Sequence, residues 1–512
     1  MAKPVMIQGT GSHVGKSILT AALCRIFKED GINVAPFKSQ NMALNSFVTE
    51  EGGEMGRAQV VQAEAAGLVP HIHMNPILIK PHADMQAQVI IHGKVKGNYS
   101  ARDFHGFKKD AMKYVKESYD HLAAQYDLVI IEGAGSPAEI NLRENDIANM
   151  GTAHLVDAPV ILVGDIDKGG VFASLVGTLE LLDEADRSRI KGFIINKFRG
   201  DISLLKPGLD FLEEKTGLPV LGVIPYFRDI YIQEEDSVNL DNRKRVDESC
   251  QNISKEEGRN MEIAVLYLPH ISNFTDFDPF ASEEDVNVRY VASGEKIGRA
   301  DLIIIPGSKS TIADLKALKN YGYADEIAAH VDRGGRLVGI CGGYQMLGQA
   351  ISDPQGVEGG GSVEALGYLD IKTVMNREKM TQQVEAVGTK GSIYKEQEKT
   401  LRGYEIHMGE SFYVNGSRPL FEVTRQGKFT TTVYDGAAAR EGRIWGTYMH
   451  GIFDNDDFRF AFLEEMRNEK GMASIGSSKS HEAAKEEGFK KLAALVRENL
   501  DMKKLYEITG IN

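Results

Sequence analysis

Two stretches of the chain bring reactive side chains to places where a strand gives way to a helix. In LVGICGGYQMLG an apolar run ends on Cys341 among small residues and a helical pattern begins at once. That is the layout of a nucleophile elbow, because glycines permit a strained turn and a close approach by substrate. A thiol at a helix N-terminus is favoured as thiolate and can attack a carbonyl carbon. Cys24, on an apolar helix face, reads as core, and Cys250 lies in a polar stretch, so Cys341 is the one reactive candidate of three. His450 in GTYMHGIF, after a strand-like run, is the expected base, and His407 in GYEIHMG is its rival. Gly307 and Ser308 in PGSKST form a turn whose backbone N–H could complete an oxyanion hole with the amide of Gly342.

The second stretch is Gly9-Thr10-Gly11-Ser12-His13-Val14-Gly15-Lys16-Ser17, between a strand and the helical run ILTAALCRIF. Glycines let backbone N–H groups converge on phosphate oxygens, Lys16 can reach the outer phosphates, and Ser17 can ligate Mg²⁺. Thr10 stands where the strict phosphate-loop pattern has glycine, so Gly9, Thr10, Gly15, Lys16 and Ser17 make a variant of it. Glu132 ends the strand of IIEGAGS and is the expected second metal ligand, with Asp165 and Asp167 in VGDIDKGG as competitors.

Strands must carry these residues. Apolar runs at Pro4–Gln8, Asn33–Phe37, Leu128–Ile131, Val160–Gly164, Gly192–Asn196 and Val220–Ile224 alternate with helical stretches, which predicts a doubly wound parallel α/β sheet. A charged tract over 236–260 reads as a linker between a domain over 1–235 and one over 261–512. The second half predicts another α/β unit, with strands at Glu262–Leu268, Leu302–Ile305, Arg336–Ile340, Leu366–Ile371 and Ile444–Met449, a helix over Gly343–Ala350 and a polar excursion over Met375–Thr400. The chain's C-terminal end reads as helical within that domain.

Composition sets bounds on partners. A net charge of −14 argues against affinity won by neutralising nucleic-acid phosphates. Three scattered cysteines suit a reducing cytoplasm, and neither an export signal nor a membrane span is visible. The oligomeric state is not legible.

The motif GTxxxVGKS resembles the dethiobiotin synthetase group of phosphate-loop proteins, which make acyl phosphates. That resemblance implies that Asn196, in IINKFRGD, contacts the nucleotide base, although a strand-end cap is the plain alternative. PGSKST, GICGGYQ, GYEIHMG and YMHGIF together resemble a class I glutamine amidotransferase domain of the cobyrinate-amidating type. Many members of the wider superfamily carry a glutamate two residues after the histidine, where this chain has Ile452. A dyad of Cys341 and His450 is therefore the reading, with Glu405 and backbone carbonyls both open as a third, orienting group. With PFKSQNMALNS, MNPILIKP and NLRENDIANM added, nearly the whole chain is similar to the cobyric acid synthase family.

The resemblance implies ATP- and glutamine-dependent amidation of the b, d, e and g carboxylates of adenosylcobyrinic acid a,c-diamide. ATP, Mg²⁺ and glutamine are then the small molecules required, without a tightly bound prosthetic group. The loops Lys38–Ser46 and Asn141–Asn149 are candidates to hold the corrin side chain, through Lys38, Asn41, Asn45 and Asp146. Two other readings remain: an amidating ligase for another carboxylate, such as cobyrinic acid itself, and a phosphate-loop switch ATPase whose second domain only binds.

Overall fold

The computed structural model describes residues 2–83, 86–233, 260–389 and 399–511. Cys250, the linker up to residue 259 and residues 390–398 of the polar excursion lie outside them. The chain divides into two compact units, one of Met1–Ala43, Glu54–Gln233 and Ala484–Asn512, the other of Leu44–Gly53 and Glu234–Ala483.

Unit 1 is built on a six-stranded sheet in the order Val220–Pro225, Ile190–Phe198, Val160–Asp165, Lys3–Gly9, Leu128–Glu132, Val34–Phe37. Every neighbouring pair is parallel. Val5, Met6 and Ile7 are all fully buried, as expected of a central strand covered on both faces. The chain leaves this strand toward one edge and later builds out the other, so the loop after Gly9 sits at the reversal of strand order, where such sheets bind ligands. Gly15, at φ 99°, turns the chain into the helix Lys16–Glu29. Leu19, Leu23, Ile26 and Phe27 of that helix are buried in the unit's core.

The expected domain bounds differ from this division in two places. Ala484–Asn512 belong with unit 1, because Phe489, Leu492, Ala493 and Val496 of the helix His481–Asn499 lie in the same core cluster as Phe27, and the Arg25 guanidinium pairs with Glu486 at 2.6 Å. Leu44–Gly53 belong with unit 2, where Asn45 and Ser46 bond to Phe274 and Asn273.

Unit 2 carries an eleven-stranded sheet. Five parallel strands come first, in the order Val286–Val291, Met261–Leu266, Leu302–Ile305, Arg336–Ile340, Ile444–Thr447. Antiparallel pairing follows through Phe429–Ala439, Pro419–Gln426 and Ile371–Gly388, the last of which also pairs with Leu401–Tyr413. The strand expected at Leu366–Ile371 begins only at Ile371, because the amides of Gly367, Tyr368 and Leu369 donate instead to Gly348 O and Leu347 O beside the helix Gly342–Leu347. Of the polar excursion, residues up to Gly388 are strand.

Candidate active site

Four loops at the carboxyl ends of adjacent parallel strands build the centre in unit 2. Cys341 follows Arg336–Ile340 directly and adopts φ 52°, ψ −105°, a conformation L-residues seldom take outside a strained turn. Its N–H donates to Thr447 O at 2.8 Å, which fixes the turn against the next strand. Neighbouring glycines permit the fit: a Cβ at Gly343 would overlap the Ile305 carbonyl, and one at Gly342 would come within 2.9 Å of Ser308 N.

His450 lies three residues beyond the strand Ile444–Thr447, fully buried and near enough to Cys341 for their charges to couple, while the Cys341 thiol donates to Ile406 O at 3.5 Å. Its Nδ1 meets Asp276 Oδ2 at 2.6 Å, and Asp276 Oδ1 accepts the Gly451 N–H at 3.1 Å. Burial opposes the charged imidazolium, but the Asp276 carboxylate and Cys341 outweigh it and hold His450 up at about 10. The orienting group left open by the sequence is thus Asp276, in the 3-10 stretch Phe274–Ser282. Cys341, His450 and Asp276 are thus ordered as a nucleophile, a base and an orienting carboxylate would be.

Residues 44–53 brace the segment that bears Asp276. Asn45 Oδ1 accepts the Phe274 N–H at 3.2 Å, and Asn273 Oδ1 accepts the Ser46 N–H at 3.3 Å. Asn273 takes φ 53° and donates to the Tyr404 hydroxyl at 3.0 Å, and the Tyr404 ring stacks on His450 at 5.2 Å. Asn45, expected among the substrate-holding residues with Lys38 and Asn41, therefore stands in unit 2 while those two stand in unit 1.

The two rivals are otherwise engaged. His407 stacks on Tyr448 at 3.8 Å and bonds Gly409 O through Nδ1 at 2.6 Å, and burial pushes it down to about 4. Glu405 accepts from Gln426 at 3.3 Å, and burial, with the charge of Asp435, raises it to about 8. For the oxyanion hole, Gly307–Ser308 pairs antiparallel with Ile271–Ser272. Lys309 N donates to His270 O at 2.9 Å, so alternation along the pair turns the Gly307 amide into the ladder and the Ser308 amide out of it. Ser308 and Gly342, whose backbones adjoin, are the two amides placed for an oxyanion, and Gly307 is the support.

In unit 1 the chemistry gathers on Glu132, buried at the end of Leu128–Glu132. Its Oε1 accepts from Ser17 Oγ at 2.8 Å and from Lys38 Nζ at 2.8 Å, and its Oε2 from Gln62 at 2.5 Å and Gln59 at 3.5 Å. Asn41 adds one more link by donating to Gln59 at 2.9 Å. Burial pushes the Glu132 carboxyl up, but the Lys38 charge and these hydrogen bonds outweigh it and leave it below the usual range. Lys16 Nζ donates to Gly11 O at 2.8 Å and Gly135 O at 3.1 Å, lying over the phosphate loop. Thr10 N is tied to Val163 O at 2.9 Å, and a Cβ at Gly9 would fall 3.0 Å from Lys16 Nζ.

Asn196 donates to Val14 O at 2.8 Å, and a Cβ at Gly15 would overlap its amide, so it braces the loop from behind. Asp165 pairs with Lys197 at 2.8 Å, whose ammonium also donates to His13 O of the phosphate loop at 2.6 Å, and Asp167 pairs with Arg199 at 2.9 Å. Asp146 accepts the N–H groups of Ala148, Asn149 and Gly151 at 2.8 to 3.1 Å, an Asx-type turn that leads into the helix Met150–Leu155. Asn149 donates to Ala134 O at 2.6 Å and Ser136 O at 3.3 Å and so holds the loop after Glu132.

Residues 5–239 match the family model of the CobQ/CobB/MinD/ParA nucleotide binding domain, and residues 262–458 match that of the CobB/CobQ-like glutamine amidotransferase domain. A cobyric acid synthase of a Thermoanaerobacter species is 52% identical, over 99% of this chain and 99% of its own length. Those of Caldanaerobacter subterraneus subsp. tengcongensis and Clostridium botulinum are each 50% identical, over 99% or more of both chains. A phosphate loop and a cysteine centre, each within a matched domain, and likeness to such relatives from end to end place the chain in the cobyric acid synthase family.

Proposed function

We propose that this chain converts the b, d, e and g carboxylates of adenosylcobyrinic acid a,c-diamide to amides, giving adenosylcobyric acid, with glutamine as nitrogen donor and ATP hydrolysed to ADP and phosphate at each amide. The observation that carries the reading is the aligned Cys341, His450 and Asp276 beside the Ser308 and Gly342 amides. Family membership supplies the substrate, which no residue spacing could name.

Cys341 passes its thiol proton to His450, its Sγ attacks the side-chain carbonyl carbon of glutamine, and the resulting oxyanion lies toward the Ser308 and Gly342 amides. His450 gives its proton to the leaving nitrogen, so ammonia departs and a thioester remains. Water, deprotonated by His450, then cleaves the thioester to glutamate and restores the thiol. Asp276 keeps the His450 ring oriented and its positive form stabilised throughout.

In unit 1 a substrate carboxylate oxygen attacks the γ-phosphorus of ATP, ADP leaves, and an acyl phosphate forms. Ammonia then attacks the acyl carbon, phosphate leaves, and the amide loses one proton to solvent. Lys16 is placed for the phosphates, and Lys38 is the candidate to neutralise the attacking carboxylate. Ser17 Oγ and Glu132 Oε1, 2.8 Å apart, are hard oxygen donors of the kind Mg²⁺ takes, so the pair fits that ion, which would offset charge on the phosphates.

The test is to incubate the protein with ATP, Mg²⁺, glutamine and the a,c-diamide, and to determine the corrin product by mass spectrometry. Four added amides are expected. An unchanged corrin beside normal glutamine hydrolysis would transfer the assignment to a different carboxylate.

A further inference from the structure

A histidine group in unit 1 serves neither centre. His71, His73 and His121 each offer one ring nitrogen, and the three atoms lie within 4.8 Å of one another. His71 precedes the 3-10 turn Ile72–Met74, His73 is within it, and His121 lies in the last turn of the helix Ala101–Ala123. The rings of His71 and His121 stack at 5.2 Å, and those of His73 and His121 approach to 4.2 Å. A helix dipole accounts for one histidine at a helix C-terminus, not for two more converging on it from another segment.

A second observation points to a ligand. His73 Nδ1 is bonded to Ser118 Oγ at 2.9 Å, and Ser118 also meets His92 Nε2 at 2.9 Å. A hydroxyl held on one ring nitrogen fixes the imidazole and sets the other nitrogen up for ligation, the outer support that metal-binding histidines usually have. The donor set contains three imidazoles and no carboxylate. Nitrogen donors of this kind suit Zn²⁺, Co²⁺, Ni²⁺ or Cu²⁺ and are poor for Mg²⁺ or Ca²⁺.

We infer that His71, His73 and His121 form a site for one divalent transition-metal ion, Zn²⁺ by preference, with water completing the coordination. Tetrahedral Zn²⁺ at about 2.1 Å from each nitrogen needs the nitrogens about 3.4 Å apart, a contraction within reach of small side-chain rotations at three histidines of which none is buried. The ion would fasten the 3-10 turn to the long helix. That turn also holds Lys38 by its backbone, since Lys38 N donates to Met74 O at 2.9 Å and Asn75 donates to Lys38 O at 3.1 Å. The ion therefore acts as a clip behind the lysine that pairs with Glu132.

The experiment is calorimetric titration of Zn²⁺ into the tag-free, chelator-stripped full chain, with Co²⁺ absorption as a second reporter and thermal unfolding compared with and without the ion. One ion per chain and a raised unfolding midpoint are expected. His121→Ala, at an exposed position that does not threaten folding, should weaken binding on the order of 100-fold, and Ser118→Ala roughly 10-fold. Cys341→Ser should leave the stoichiometry unchanged. Absence of saturable binding, equal binding by His121→Ala, or loss of the ion in Cys341→Ser would overturn the site.

Discussion

In unit 1 four side chains converge on the single carboxylate of Glu132, whereas in unit 2 charge is strung along a line from Asp276 through His450 to Cys341. Both arrangements stand at the carboxyl ends of parallel strands, beside glycines that no other residue could replace without overlap. The difference fits the tasks proposed for the two units. A polyanion is held by many fixed donors, so its site is a convergent cradle with cations at hand. Covalent attack needs one nucleophile whose proton has somewhere to go, so its site is a relay.

The sharpest way to break that comparison is to disable one centre at a time. Cys341→Ala should reduce glutamine-dependent amidation on the order of 10⁴-fold or more while ammonium-driven amidation persists, whereas Lys16→Ala should abolish both. Product formation with each nitrogen source measures this, and equal loss with both sources in Cys341→Ala would sink the division of labour.

Asp276→Asn should lower kcat/KM for glutamine hydrolysis about 10² to 10⁴-fold, leaving ATP-dependent activation from ammonium intact. It should also move the alkaline limb of the pH profile. In the parent protein the imidazolium of His450 persists up to about pH 10 and is lost above it, and without the Asp276 charge that limb shifts to lower pH. The same linkage stabilises the fold: the contribution is complete below about pH 6.5, the ordinary imidazole range, and fades as pH rises through about 10. An unmoved limb would remove Asp276 from the relay.

A smaller effect is expected on stability in the cradle. Lys38→Met leaves Glu132 buried with its cation gone, at a cost of about 3 to 5 kcal/mol in denaturant unfolding, and adding Glu132→Gln should recover part of it. Gly343→Ala, which presses a methyl group into the Ile305 carbonyl, should destabilise the protein by about 1 to 3 kcal/mol and slow glutamine hydrolysis.

What the sequence disclosed follows the same divide. Phosphate-loop residues and the cysteine elbow are contiguous motifs bounded by apolar runs, so Lys16, Ser17 and Cys341 were legible, and so was Glu132 at a strand end. Asp276 was not, because it lies 174 positions from the histidine it orients, on a 3-10 stretch without periodicity. The only available signal was a cluster of two aspartates after a strand, in NFTDFDPF. Asn45 and Lys38 are seven residues apart yet belong to different units, which no local pattern conveys. The C-terminal helices were placed by proximity in sequence, and long-range burial against Phe27 overruled it.

The return of those helices has a consequence for how the protein is made. Unit 1 draws segments from both sides of Glu234–Ala483 in the chain, so its core lacks Leu492, Val496 and their neighbours until Ala484–Asn512 has been synthesised. Unit 2, whose segments all precede Ala484, can fold first. A nascent or C-terminally clipped chain would then hold a finished cysteine relay and an unfinished phosphate cradle, and would be expected to hydrolyse glutamine with no activated carboxylate to receive the ammonia.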